Sequence, residues 1–148
     1  MDNLNERIEI AKKTFKPANC IGTMAFLAGL KDKDSIIESF FFYKDIFPQL
    51  QEIEKTIPHS IVTWEEHNKE PYDKMDFMWF PINGEKRIIR HAGILLSPDL
   101  PFVVHRPGAY AEWDDSNAKL RYDSYFDIIQ KTYGGKRELI DIHFYKIK

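Results

Sequence analysis

The hydrophobic period changes part-way along this chain, and that change constrains its fold more than any other feature. In the first third, apolar residues recur at helical spacing. Leu4, Ile8 and Ala11 share one face, which predicts a helix from Asn3 to Phe15 capped by Asp2. Pro17 disfavours helical geometry at Lys16 and ends it. Cys20 to Leu30 is small and apolar, so a helix buried on most sides is expected there, with Gly29 and Lys31 at its C-terminus. A third helix is expected from Asp34 to about Tyr43, continuing brokenly toward Lys55. The pattern then turns β-like. Ile61 to Trp64 reads as a short strand, Glu65 to Asp73 as a polar loop, and Met75 to Phe80 as a second strand. Pro81-Ile82-Asn83-Gly84 reads as a turn, with Asn83-Gly84 the strongest two-residue turn signal. Two β-rich runs follow, Arg87 to Leu96 and Pro101 to His105. A late helix from Tyr122 to Tyr133, stopped by Gly134-Gly135, precedes a terminal strand from Leu139 to Ile147. Helices first and strands after predict an α+β fold, N-terminal helices packed on a mainly antiparallel sheet.

Composition narrows the function classes. The chain has 148 residues, 43% of them hydrophobic, enough for one domain with its own core. Lys and Arg number 21 against 23 Asp and Glu, so the basic footprint of a nucleic-acid partner is missing. The first dozen residues carry charges throughout and lack the apolar core of a secretory signal. The longest near-apolar stretch, Cys20 to Leu30, has 11 residues and is too short to cross a bilayer. The expectation is a cytoplasmic protein, or one exported without a cleaved signal peptide. Gly-rich phosphate loops and dinucleotide fingerprints do not occur, and no cofactor is expected. Cys20 is the single cysteine, which excludes an intramolecular disulfide and a four-cysteine zinc site.

Cys20 falls at the predicted first turn of its helix. Unpaired backbone N–H groups there favour a thiolate and would donate to an oxyanion formed on an attacked carbonyl. The other reading is a small buried hydrophobe beside Ile21 and Met24. A nucleophilic thiol needs a base. His59 and His67 lie in polar surroundings, read as solvated, and eight residues apart make a poor zinc pattern. His143 sits mid-strand with no partner suggested. His91 lies among small residues, and His105 follows on the next run. In an antiparallel pair opposed residue numbers sum to a constant; here that constant is 196, pairing Leu96 with Leu100 across Ser97-Pro98-Asp99. On one face, His105 would hold His91 in a useful tautomer, the alternative being two satisfied strand residues. Arg106 and Tyr110, in the loop after His105, are candidates for a substrate carboxylate. Trp64-Glu65-Glu66-His67 and Trp113-Asp114-Asp115 read as solvated charge, and Phe40 to Tyr43 as core with an exposed edge.

Asn19-Cys20-Ile21-Gly22 opening an apolar helix, then Arg90-His91-Ala92-Gly93-Ile94-Leu95-Leu96, then Val103-Val104-His105, resembles the NlpC-type cell-wall peptidases and amidases, which are papain-like. Asp76-Phe77-Met78-Trp79-Phe80 is similar to the strand before that family's histidine, and Ile142 to Lys146 to its closing strand. The resemblance implies one papain-like domain over residues 1–148, with extra length around residues 35–68 available for a lid or specificity wall. It implies Cys20 as nucleophile, His91 as general base and acid, and His105 as orienting residue, in a metal-independent hydrolase acting on a peptide or amide such as a peptidoglycan fragment. Asn19 and Ile21 stand where the family has Asp and Ser, and 71 positions separate Cys20 from His91. Those departures motivate the alternative of a non-catalytic binding module on the same fold. A thiol acyltransferase or esterase acting on lipid is a further alternative; its relatives place the histidine strand before the cysteine helix, whereas here the cysteine comes first.

Overall fold

The computed structural model describes residues 3–13, 18–70, 79–107, 119–128 and 140–148. They form an α+β fold in which helices cover a seven-stranded, antiparallel sheet. Helix α1 spans Leu4–Lys12, and its N-cap is Asn3 rather than Asp2: the Asn3 side chain accepts from the Glu6 N–H. Helix α2 spans Cys20–Leu27, buried along its whole length, and Gly29 beyond its end takes φ +80°, a left-handed position that suits glycine.

The third helix starts later and is shorter than its sequence suggests. Ser39–Phe41 is α-helical, Phe42–Ile46 is a π turn and Phe47–Gln49 a 3-10 turn. The wider π turn buries Phe42, Tyr43 and Ile46 together against the sheet. Strand β1, Leu50–Glu52, replaces the continuation toward Lys55 because it finds a partner at the far end of the chain, pairing Leu50 with Ile147.

The sheet order is β1-β7-β2-β4-β5-β6, with β3 paired to β4. Strand β2, Ile61–Asn68, runs four residues past Trp64 into the segment expected to be a polar loop. The reason is tertiary. Glu65 is fully buried, yet its carboxylate accepts from Tyr43 Oη at 2.7 Å, Tyr145 Oη at 2.6 Å and Thr63 Oγ1 at 2.6 Å. A buried carboxylate with three donors is satisfied, and the strand continues. Residues 35–68, the stretch with extra length, thus supply β1 and β2, and β2 lies between β7 and β4.

Strands β3 (Phe80–Ile82) and β4 (Glu85–Ser97) are joined by Asn83-Gly84, whose φ values of 49° and 76° are those of a tight hairpin turn. Strand β5 is Leu100–His105 and β6 is Arg121–Ser124. Helical structure begins at residue 125 instead of Tyr122, because Ser124 caps it: the Asp127 N–H donates to Ser124 Oγ at 3.1 Å. Strand β7, Ile140–Ile147, closes the sheet between β1 and β2. Met75 to Met78, Gly134-Gly135 and Trp113 to Asp115 lie outside the described residues.

Two apolar clusters line the two faces. Ile8, Met24, Phe26, Ile61, Ala92, Ile94, Val104 and Cys20 belong to the cluster under α1 and α2. Val62, Trp64, Leu95, Val103 and Ile128 form the second. Alternation along β4 therefore turns Ala92 and Ile94 toward α2, and His91 and Leu95 to the other side. No helix among the described residues is long and apolar enough to cross a membrane.

Candidate functional site

The N-terminus of α2 is built by Asn19. Its Oδ1 accepts from the Gly22 N–H at 2.9 Å and from the Ile37 N–H at 3.1 Å, while Nδ2 donates to the Ile37 carbonyl at 2.8 Å. The amide thus caps the helix and pairs with one peptide of the loop after it. An aspartate cannot donate to that carbonyl, which accounts for asparagine here. Gly22 admits the same loop: a Cβ there would lie 1.6 Å from the Ser35 carbonyl oxygen. Cys20 follows the cap, 9% exposed. Its thiol lies against the backbone of Ala92, Ile21 and Cys20 itself. Burial is the largest influence on it, raising the thiol to about 11, and these backbone groups only partly offset that.

The histidines come together through a register different from the one the loop suggested. Ile94 pairs with Val104 and Leu95 with Val103, whereas Ser97 pairs with Leu100. The extra residue falls on β5 at Pro101-Phe102, where proline has no N–H for a ladder bond. Continued along β4, the register sets His105 across from Gly93 and diagonal to His91. A Cβ on Gly93 would come within 3.0 Å of His105 Cβ and 2.4 Å of Val103 Cγ1, so glycine here makes room for β5. Both rings still share one face. His91 Nε2 and His105 Nδ1 are 2.7 Å apart, and both residues are 1% exposed. A second register shift, between Trp64 and Glu65, leaves Arg90 as the extra residue on β4 immediately before His91. The His91 ring then packs 5.4 Å from the Trp64 ring, whose buried Nε1 has no hydrogen-bond partner among the described residues.

Asp123 on β6 completes a relay that the sequence reading missed. His105 Nε2 lies 2.8 Å from Asp123 Oδ2, and Arg121 Nε donates to the same oxygen at 3.0 Å. Desolvation would raise the Asp123 carboxyl, but the His105 and Arg121 hydrogen bonds outweigh it and bring it down to about 2. An ionised Asp123 only accepts, so His105 carries its proton on Nε2 and accepts at Nδ1. His91 must then donate from Nε2. Its Nδ1, with no hydrogen bond among the described residues, is left as the basic nitrogen. The available signal was the Ser124 cap, which puts Arg121 to Asp123 outside the helix and in reach of a strand.

Burial lowers His91 well below the ordinary histidine value, with the neighbouring His105 adding to the effect; burial also lowers His105, against the pull of Asp123. Two histidines held neutral take up protons on unfolding, so their contribution is fully present above about pH 6.5 and is lost as pH falls below it. Urea midpoints are expected to drop between about pH 7.5 and pH 5.5, and to drop less in His91→Gln; equal slopes in both proteins would contradict the relay's charge state. Asp123 adds a second loss at lower pH, as the medium passes from 3.8 toward about 2.

Cys20 and the His91 ring lie on opposite faces of β4. The thiol touches Ala92, the residue after His91, and no hydrogen bond joins Cys20 to His91 among the described residues. Arg106 points elsewhere. It is 3% exposed, and its guanidinium donates to Asp34 Oδ2 at 2.8 Å, Thr23 Oγ1 at 2.8 Å and the Ala11 carbonyl at 3.0 Å. Its charge is neutralised by Asp34 inside the protein, which replaces the expected contact with a substrate carboxylate. Tyr110 lies outside the described residues. No protein-family model matches the chain, and no curated protein and no solved structure matches it.

Proposed function

We propose that the protein is a thiol-dependent amidohydrolase of papain-like, NlpC-type design, with Cys20 as nucleophile, His91 as base and acid, and His105 with Asp123 as positioning residues. The observation that carries this reading is the His91–His105–Asp123 relay, which fixes the His91 tautomer and leaves its Nδ1 as the basic nitrogen, one strand position from Ala92 but on the opposite face of β4. Because burial disfavours both a free thiolate and an imidazolium, the reaction starts from neutral partners. This chemistry requires the thiol to reach His91 from the Ala92 face of β4 on which it rests; Sγ then attacks the amide carbon as its proton passes to Nδ1. That proton then goes to the departing amine, and water, deprotonated by the same nitrogen, cleaves the thioester and restores the thiol. The N–H groups of the α2 terminus are the natural donors to the oxyanion. Peptide or amide substrates, peptidoglycan fragments first among them, follow from the resemblance.

A second reading, a binding module on the same fold, is favoured by a specific observation: the thiol is nearly buried, lies on the opposite face of β4 from the His91 ring, and has no hydrogen bond to His91 among the described residues. Cys20→Ala separates the two. Under the hydrolase reading, peptidoglycan-peptide cleavage and alkylation of the native protein both vanish in the variant while its melting curve is retained. Alkylation of the native wild type should rise with pH toward an inflection near 11. Cleavage that survives the substitution, or a wild-type thiol that labels only after unfolding, would remove Cys20 from the chemistry.

A further inference from the structure

Two histidines 76 positions apart face each other across β2 and β7, well away in sequence from Cys20 and outside the relay. His67 Nε2 and His143 Nε2 lie 2.9 Å apart with their rings nearly parallel, at 27°. The far nitrogen of each ring is held by a carboxylate: His67 Nδ1 is 2.8 Å from Glu85 Oε1, and His143 Nδ1 bonds Glu52 Oε1. Arg87 Nε donates to Glu85 Oε1 at 2.8 Å, so the carboxylate is held as an acceptor. An imidazole whose Nδ1 faces a carboxylate carries its proton there. In the neutral ring Nε2 then presents a lone pair.

Two lone pairs pointed at one another 2.9 Å apart repel unless a cation lies between them. Asp141 adds a carboxylate on the same side: its Oδ2 is 3.8 Å from His67 Nε2, and the three side chains bring ligand atoms within 4.8 Å of one another. Carboxylates behind both rings and another in front give a surplus of negative charge that a dication would offset. Carboxylate-backed imidazoles are also the usual support for metal-bound histidine, because the outer hydrogen bond fixes tautomer and orientation. A tetrahedral zinc separates two nitrogen ligands by about 3.3 Å, so a modest opening of the pair accommodates it.

We propose that His67 Nε2, His143 Nε2 and the Asp141 carboxylate form a binding site for a divalent transition metal of the zinc class, with a fourth position left for water. Glu85 and Glu52 act behind the imidazoles, so the site ties β1, β2, β4 and β7 together. Neither residue number nor spacing suggested it, since no short sequence motif links position 67 to 143.

The test is metal binding by the whole chain after chelator treatment, with Zn2+ as the probe and Co2+ as a spectroscopic substitute. One Zn2+ per chain is expected, with a Tm raised by about 5 °C or more at saturation. His143→Ala and His67→Ala should each abolish that binding and the Tm shift, while Glu52→Gln and Glu85→Gln should weaken affinity about 10- to 100-fold. Cys20→Ala should retain full binding, and the Co2+ form should lack a sulfur-to-metal charge-transfer band. The proposal is overturned if the wild type retains no Zn2+ at micromolar concentration, leaving a proton shared between the imidazoles. It is equally overturned if Cys20→Ala loses the metal, or if either alanine variant, folded by circular dichroism, binds Zn2+ as the wild type does.

Discussion

Arg106→Met is expected to destabilise the protein by about 3–5 kcal/mol, read as a fall in the urea midpoint at unchanged m-value. The size follows from what the substitution leaves behind. Asp34 is 1% exposed at its side chain, and Arg106 NH2 sits 2.8 Å from its Oδ2. Thr23 Oγ1 donates to the other oxygen at 2.6 Å, and the Arg106 Nε donates to Thr23. Removing the guanidinium strands a buried carboxylate and frees the Ala11 carbonyl at the end of α1. Arg106 therefore fastens both N-terminal helices to the end of β5, immediately after His105. The double variant Arg106→Met with Asp34→Leu should recover part of the loss, because neither charge then remains buried. A single-variant cost below about 1 kcal/mol would place the pair among exposed salt bridges and contradict the burial.

If the protein is the proposed hydrolase, Asp123→Asn should lower kcat for amide hydrolysis by about 10^2- to 10^4-fold, with KM little changed and Cys20 still present. Asparagine keeps the shape of Asp123 but not its charge. Its amide can turn an N–H toward His105 Nε2, which would move the His105 proton to Nδ1, reverse the His91 tautomer and put a hydrogen on the nitrogen meant to act as base. A merely structural Asp123 would lower stability without this effect, so the decisive readout is the pH profile of kcat. Loss of the relay should displace its acidic limb, whereas a small uniform decrease at every pH would sink the positioning role. His105→Gln offers a check on the same chain: it should give a decrease of similar size and add little to Asp123→Asn, since residues acting in series are not additive.

These two side chains mark the boundary between what could be read from the chain and what could not. Asn19 before an apolar run, Asn83-Gly84 between β-rich runs and the alternation through Ile94 and Val104 are local signals. Helix caps, two-residue turns and side-chain periods depend on residues a few positions apart, so α2, the β3–β4 turn, β4 and β5 were all legible. A shared face for His91 and His105 was one of the arrangements the sequence allowed, and the register that delivers it differs by two from the loop-based one because of the bulge at Pro101-Phe102.

Buried charge was not legible, because in sequence it looks like solvated charge. Glu65 reads as loop until Tyr43 and Tyr145 supply donors from 22 and 80 positions away. Arg106 reads as a surface hook for substrate until Asp34, 72 positions earlier, neutralises it. Asp123, His67 and His143 follow the same rule, their partners arriving only when distant strands pair. The amino-acid sequence by itself determined the order of helices and strands and which faces are apolar. Only the tertiary structure decided which polar groups could afford to leave water, since that depends on partners no local pattern records.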